Sequence, residues 1–238
     1  MTTRIKPAAA ALLLIGICAA HAREVPGGFA CEEGFEDVAT LASRGWLLKN
    51  NSDPSGTGHW KQGDPSVFTA WSGGSDSYVS VGADSASGVH PVVSNWLITP
   101  EIDFGPNAFG TRSFGFYTRA VPGQANRMVV RLCMEQTAVS DCIAPGPASG
   151  DLGGFGVEPA LLDINPSLLA NGYPNGWTGE MVFPGDGLPV VGRGRIAFHY
   201  YVFDQGGAHG TTVGIDSVVM TGATVCPFTE VVFSDGFD

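Results

Sequence analysis

The chain has 238 residues, a formal net charge of −11 at pH 7 and only 15% charged residues. Its acidity argues against nucleic acids and anionic membranes as partners, because an acidic surface repels phosphate. Large apolar residues occur along the whole chain, which argues against disorder. The 34 glycines are about twice as many as the usual ~7% would give, and long helical heptads are missing. The composition therefore predicts many short strands joined by turns, in a sandwich or a barrel.

Residues 1–22 have the pattern of a secretory signal peptide. Arg4 and Lys6 precede an apolar run over 8–20, and Ala20-His21-Ala22 places small residues where a signal peptidase cuts. A retained anchor is the alternative, but the run is shorter than the roughly 20 residues of a membrane-spanning helix. We therefore expect a secreted protein, extracellular or at the cell surface. Loss of Arg4 and Lys6 would change its formal net charge from −11 to −13.

Alternating apolar and polar residues predict strands along most of the remaining chain, which shows no internal repeat. Two of these strands, joined by a turn at Pro122-Gly123, are expected to form an antiparallel hairpin. The strand over 194–203 is apolar on both faces and should be central. Residues 160–169 have room for a turn of helix. The predicted strands are 45–50, 59–62, 77–81, 94–98, 113–118, 127–134, 178–183, 194–203 and 211–221.

Four cysteines remain beyond residue 22, and an even number in an oxidising compartment predicts two disulfides. Three pairings are possible. We favour Cys133–Cys142, which closes a short loop, and Cys31–Cys226, which ties the two ends of the domain together. A four-cysteine zinc site is the alternative, but the chain has no Cys-x-x-Cys pair to support it.

Several short motifs, spread from about Gly34 to Thr221, resemble the choice-of-anchor J domain of bacterial surface and secreted proteins. This family is related to cleaved-adhesin and MAM-type jelly rolls. The motifs that carry the resemblance are Glu33-Gly34-Phe35-Glu36, Gly45-Trp46, His59-Trp60, Ser94-Asn95-Trp96-Leu97-Ile98-Thr99-Pro100, Phe114-Gly115-Phe116-Tyr117-Thr118-Arg119, Asn165-Pro166, Gly172-Tyr173-Pro174, Trp177-Thr178 and Gly214-Ile215-Asp216-Ser217-Val218.

The resemblance implies an all-β, antiparallel jelly-roll sandwich over residues 23–225, followed by a short C-terminal tail over 226–238. Members of the family end in an anchor, whereas this tail is short and acidic, which leaves surface attachment open. The resemblance also implies a structural calcium ion, held by an acidic residue near the first strand and an aspartate near the last. The matching positions are Glu36 and Asp216, with Asp37 and Asp64 as additions. Calcium prefers six to eight oxygen ligands of this kind. The alternative is that Asp216 caps a turn or pairs with an arginine.

Five tryptophans raise the question of a sugar-binding platform. Trp46 and Trp96 lie in predicted strands and are expected in the core. Trp71 lies in a Gly/Ser-rich loop and Trp177 in a Pro/Gly/Asn turn, so these two are the candidate ligand-binding residues. Core or rim packing is the competing interpretation for both.

Catalytic motifs are missing from the sequence. It contains no Gly-x-Ser-x-Gly elbow and no His-Glu-x-x-His zinc helix, and His199 alternates with apolar strand residues as a buried, hydrogen-bonded histidine would. We therefore expect a non-catalytic binding or adhesion module for an extracellular glycan or protein. The alternatives are a secreted hydrolase of polysaccharides, which needs two carboxylates about 5–10 Å apart, and a structural surface or matrix protein without a small ligand.

Overall fold

The computed structural model describes residues 29–105, 112–135, 142, 145–146, 150–203, 210–223, 225–228 and 230–232. The signal peptide predicted for residues 1–22 lies outside them. The strands, numbered in chain order, are β1 (Phe29–Glu33), β2 (Leu47–Asn50), β3 (Lys61–Gln62), β4 (Val79–Val81), β5 (Val92–Ile98), β6 (Ile102–Asp103), β7 (Ser113–Ala120), β8 (Met128–Met134), β9 (Leu162–Ile164), β10 (Thr178–Val182), β11 (Arg193–Phe203), β12 (Val213–Ala223) and β13 (Glu230–Val232). Short 3-10 helices cover Val38–Arg44, Ala83–Ser85, Gly153–Gly156 and Pro184–Asp186.

The strands form two sheets, and every strand pairing is antiparallel. Sheet A has the order β10-β7-β12-β1-β13, with β4 beside β12 and β3 beside β4. Sheet B has the order β2-β5-β11-β8-β9, with β6 beside one end of β11. This arrangement confirms the predicted all-β antiparallel sandwich. None of the helices in the described residues is long and apolar enough to cross a lipid bilayer.

The core lies between the two sheets and is built by alternate residues of each strand. Phe114 and Phe116 of β7 point inward from sheet A, and Phe198 of β11 meets them from sheet B with ring centroids 5.9 and 4.9 Å away. Burying aromatic rings of this size contributes most of the favourable free energy of such a core. Strand β11 pairs with β5 on one side and β8 on the other, so the prediction that it is central is confirmed.

Two local predictions are wrong. Strands β7 and β8 do not form a hairpin, because β7 pairs with β10 and β12 whereas β8 pairs with β9 and β11. Both strands carry an apolar face, and these faces meet across the core instead of lying side by side in one sheet. The helical turn expected within 160–169 is replaced by β9, which extends sheet B beyond β8.

Strand β12 changes partners halfway along its length, and this change positions the candidate site. Its C-terminal part pairs with β1, and its first residues, Val213 to Ile215, pair with β4. Between these parts the register with β7 shifts from Asp216 to Val219, and Ser217 has a φ of 47°. A positive φ at a residue other than glycine is uncommon and marks a constrained position. Asp216 lies on the outer face of sheet A at the start of this bulge, and beyond the bulge Val218 and Met220 face the core.

Both predicted disulfides are confirmed, as Cys31–Cys226 and Cys133–Cys142. The first joins β1 to the segment before β13. Strand β13 lies within the residues assigned to the C-terminal tail and pairs with β1, so this part of the chain extends sheet A. The second disulfide anchors the excursion that follows β8 to the outer face of sheet B, where Phe155 also packs.

Replacing Cys31 and Cys226 by alanine should lower the free energy of unfolding more than the same change at Cys133 and Cys142. The first pair is 195 residues apart and the second only 9. The entropy that a disulfide removes from the unfolded chain grows with loop length, so the expected contributions are roughly 5 and roughly 3 kcal/mol. Denaturant unfolding of the two double variants measures the difference. Equal stabilities, or the reverse order, would contradict this expectation.

Candidate functional site

Aromatic side chains gather on the outer face of sheet A, where loop 64–77 folds over β7, β10 and β12. We call Phe68, Trp71, Tyr117 and Trp177 the aromatic platform. The ring of Trp71 stacks on Tyr117 with centroids 4.3 Å apart and planes 17° apart, and Trp71 is 50% exposed. The platform thus combines a fixed aromatic ring with access to solvent.

Trp177 lies on the same face of sheet A as Trp71, so the structure brings the two predicted ligand-binding residues together. It is only partly exposed. Its indole N–H donates to the carbonyl oxygen of Thr69 at 2.8 Å, and its ring meets Phe68 edge-on at 5.7 Å. Trp177 therefore anchors the loop that carries Trp71. Of the two residues, Trp71 is the one that presents a ring face to solvent.

Two residues that the sequence analysis did not single out complete this packing. The guanidinium of Arg119 lies 4.5 Å from the ring centroid of Phe68 and 5.9 Å from that of Trp177, within the range of cation–π attraction. Gly214 lies beneath both rings, and a Cβ atom there would lie 2.8 Å from Phe68 and 3.1 Å from Trp177. A glycine at this position lets the aromatic rings approach the sheet. No local pattern in the sequence links these residues to loop 64–77.

Asp216 is fully buried beneath the same loop. Its Oδ2 accepts hydrogen bonds from the backbone N–H groups of Trp71 at 2.7 Å and Ser72 at 3.1 Å, and its Oδ1 accepts one from Ser217 at 2.6 Å. Burial raises the pKa of Asp216 to about 6, although the three N–H donors act in the opposite direction. The buried carboxylate is therefore bonded to the loop backbone and fixes the position of Trp71.

The other three residues of the predicted calcium set lie at the surface. Asp37 caps the 3-10 helix Val38–Arg44 by accepting from the N–H of Ala39, and Asp64 accepts from Ser66. Glu36 is exposed beside the start of this helix. In the described part of the chain, no three His, Cys, Asp or Glu side chains come close enough to hold one ion. Calcium binding stays a prediction.

A cavity of about 690 Å³ lies between the 3-10 helix Val38–Arg44 and strands β2 and β3. Two of its polar lining residues are already bonded: Gln62 donates to the carbonyl oxygens of Phe35 and Asp76, and Lys49 donates to that of Pro145. The indole N–H groups of Trp46 and Trp60, which are among its lining residues, are buried and have no hydrogen-bond partner in the described part of the chain. The platform differs from this cavity in presenting a half-exposed ring that other contacts already hold.

A polar network lies buried on the outer face of sheet B. His199 is fully buried and stacks on Trp96 with ring centroids 3.7 Å apart. Its Nδ1 accepts from Nε of Arg131 at 3.3 Å, which leaves the proton on Nε2, 3.0 Å from the hydroxyl of Ser94. Burial and the charges of Arg131 and Arg127 hold the pKa of His199 well below its ordinary value. The prediction of a buried, hydrogen-bonded histidine is confirmed.

This network makes the free energy of unfolding depend on pH. His199 stays neutral when folded but binds a proton in the unfolded chain below a pKa of about 6.5, so stability is complete above that pH and falls below it. The contribution of His199 should reach up to about 1.4 kcal/mol per pH unit, while Asp216, with a pKa of about 6 in the folded protein, acts in the opposite direction at the acid end of this range. Denaturant unfolding between about pH 7.5 and pH 5.5 measures it.

Two histidine variants provide the control for this pH series. His199→Gln, which keeps an acceptor for Arg131, should remove this part of the pH dependence. His59→Gln, at an exposed histidine, should leave it unchanged. A wild-type slope that survives in His199→Gln would show that other groups cause it.

No family model matches the chain, and no curated protein matches it. Solved structures similar to it include the K1 cleaved adhesin domain of Lys-gingipain from Porphyromonas gingivalis W83, with 20% identity and a TM-score of 0.49 over 82% of this chain and 98% of that one. The K3 domain of the same protein matches with 17% identity and a TM-score of 0.48, over 80% and 97%. TmCBM61 in complex with β-1,4-galactotriose matches with 14% identity and a TM-score of 0.42, over 79% and 94%. Similarities at this level do not define a ligand, and membership of the choice-of-anchor J family stays a prediction.

Proposed function

We propose that this protein is a non-catalytic binding module that holds a glycan at the cell exterior, with Trp71 of the aromatic platform as the main contact. The observation that carries the proposal is the state of Trp71 itself. Its ring is half exposed, yet its position is determined by stacking on Tyr117 and by the bond from its backbone N–H to Asp216. An exposed ring that the fold already holds in one orientation offers a ligand a fixed surface.

The held ring lowers the cost of binding. A ligand that orders a mobile side chain loses roughly 0.5–1.5 kcal/mol of conformational entropy for each one, and Trp71 is already ordered. Large rigid aromatic residues combine contact area with a small entropy loss, which suits a binding surface. The apolar face of a sugar ring can lie flat on the indole while its hydroxyl groups stay in water.

The surface beside Trp71 continues along strands β7 and β10. Gly179 of β10 pairs with Tyr117, and Gly115 of β7 pairs with Met181. Gly179 is exposed, and Met181 is 54% exposed. The side chain of Met181 lies over Gly115 and the ring of Tyr117 lies against Gly179, so Tyr117 and Met181 form an apolar strip beside Trp71. This shape fits an extended saccharide lying along the sheet.

The hydrolase alternative finds no support at the platform. A glycoside hydrolase needs two carboxyl groups that reach the scissile bond from a groove. Asp216, the carboxylate beneath the platform, is fully buried and accepts three backbone N–H bonds. It therefore serves to hold the loop, and binding without catalysis is the function that the geometry supports best.

Trp71→Ala should weaken glycan binding at least tenfold, because loss of a central tryptophan commonly costs about 2 kcal/mol or more of binding free energy. A glycan array of neutral oligosaccharides identifies a probe, and calorimetry with that probe gives the affinities. Leu169→Ala is the matched control, since Leu169 is 62% exposed outside the platform. Thermal unfolding shows whether both variants are folded. Binding that is equal in wild type and Trp71→Ala, or no binding on the array, would overturn the proposal.

A bound calcium ion is a second, separate part of the proposal. An ion that binds only the folded chain must raise the melting temperature. At a free calcium concentration of a hundred times the dissociation constant, the added free energy of unfolding is about 2.7 kcal/mol. Thermal unfolding with calcium, with magnesium and with EDTA tests it. Asp216→Asn should abolish the calcium shift, whereas Asp163→Asn, on sheet B, should keep it. Identical melting curves with calcium and EDTA would show the prediction to be wrong.

A further inference from the structure

We propose that the outer face of sheet B carries a second binding site, for a carboxylate-bearing saccharide, in which Arg131 receives the carboxylate and Tyr201 and Phe203 contact the sugar rings. This site lies on the opposite sheet from the aromatic platform and does not depend on the function proposed for it. It follows from three features of strands β8 and β11: one arginine with donors to spare, a row of aromatic rings, and the buried network beneath them.

Arg131 forms no ion pair in the described part of the chain. It is partly exposed, and its Nε donates to His199. Its two terminal NH2 groups have no hydrogen-bond partner within the described ranges. Arg127, four residues earlier, is neutralised instead by Asp163, with bonds of 2.9 and 2.6 Å from Nε and Nη2. The unused donors of a guanidinium form a planar fork that matches a carboxylate.

The aromatic rings follow the same face of β11. The ring centroids of His199 and Tyr201 are 4.9 Å apart, and those of Tyr201 and Phe203 are 5.8 Å apart. His199 is buried, whereas Tyr201 and Phe203 are partly exposed. Arg127 lies 5.8 Å from the Tyr201 ring and restrains it. The face thus presents aromatic surface beside a positive charge, in a chain whose net charge is −11.

The buried network of Ser94, His199 and Arg131 carries a desolvation cost, and its chain of hydrogen bonds ends at Arg131. An apolar side chain at position 199 would avoid the desolvation of an imidazole, a hydroxyl and a neighbouring guanidinium. In the structure, Ser94 receives bonds from both His199 and the indole N–H of Trp96, and His199 receives the Nε proton of Arg131. Each bond restricts the next, and the last one orients the guanidinium. His199 is therefore a positioning residue for Arg131.

A saccharide fits this face better than an acidic peptide does. Peptides bind sheets chiefly by adding a strand to a free edge, and β11 has no free edge here because β5 and β8 pair with it on both sides. The groups on offer are the rings of Tyr201 and Phe203 and the unused donors of Arg131. A sugar acid presents a flat apolar ring face and a carboxylate, which are the two features this surface would recognise.

The test is calorimetry of the whole protein with a galacturonic acid pentamer. A galactose pentamer serves as the neutral probe. The acidic pentamer should bind, and Arg131→Gln should weaken it at least tenfold. Arg131→Lys keeps the charge but loses the planar fork of donors, so its affinity should lie between those of the wild type and Arg131→Gln. Tyr201→Ala should also weaken binding. Arg193→Gln is the matched control, because Arg193 also lies on β11, is 59% exposed and pairs with Glu101.

The outcomes separate this site from the platform. Trp71→Ala should leave binding of the acidic pentamer unchanged, so the two proposals can fail independently. Absence of binding, or equal affinities for wild type and Arg131→Gln, would overturn the site. An equal effect of Arg193→Gln would reduce it to general charge attraction. A pentaglutamate peptide that binds as tightly, with the same dependence on Arg131, would overturn the assignment to a saccharide.

Discussion

The outer face of sheet A depends on one buried carboxylate. Asp216 has no exposed surface, and an ionised group in such a place is destabilising unless hydrogen bonds replace its lost water. Backbone N–H groups of Trp71, Ser72 and Ser217 supply them. The same bonds hold loop 64–77 against the sheet, so the stability of the carboxylate and the position of the Trp71 ring are two results of one interaction. The raised pKa of about 6 shows that the compensation is incomplete.

The bulge in β12 supplies one of these three bonds, because it leaves the N–H of Ser217 free to donate to Asp216. In a regular strand, the backbone groups of Asp216 and its neighbours would all be used by β7 and by a partner on the other side. Because β12 passes from β1 to β4 at this point and Ser217 takes a positive φ, the strand opens locally. The aspartate then bonds to a loop that comes from a distant part of the chain. Bulges next to functional surfaces commonly redirect a side chain in this way.

The sequence predicts the strands well and their neighbours poorly. Alternation predicts most of the strands and identifies β11 as central. Alternation does not say which strand lies beside which. It shows which side chains of a strand are buried, but the strand's neighbours are fixed only when the sheet forms. For this reason the expected hairpin of β7 and β8 was wrong. The sequence leaves three disulfide pairings open, and the structure shows the favoured one, a short local loop and a link between the two ends of the domain.

The candidate site shows the same limit at the level of single residues. Trp71 and Trp177 were selected from their polar, glycine-rich surroundings, but their different roles arise from contacts 108 residues apart, between Trp177 and Thr69. Once the indole N–H of Trp177 is committed to the loop and its ring edge to Phe68, it cannot turn towards a ligand without releasing Trp71. Trp71 makes no such bond through its indole in the described residues, and its free ring face remains available. Trp177 therefore anchors the loop, and Trp71 presents its ring to a ligand. The composition around the two tryptophans does not distinguish these roles.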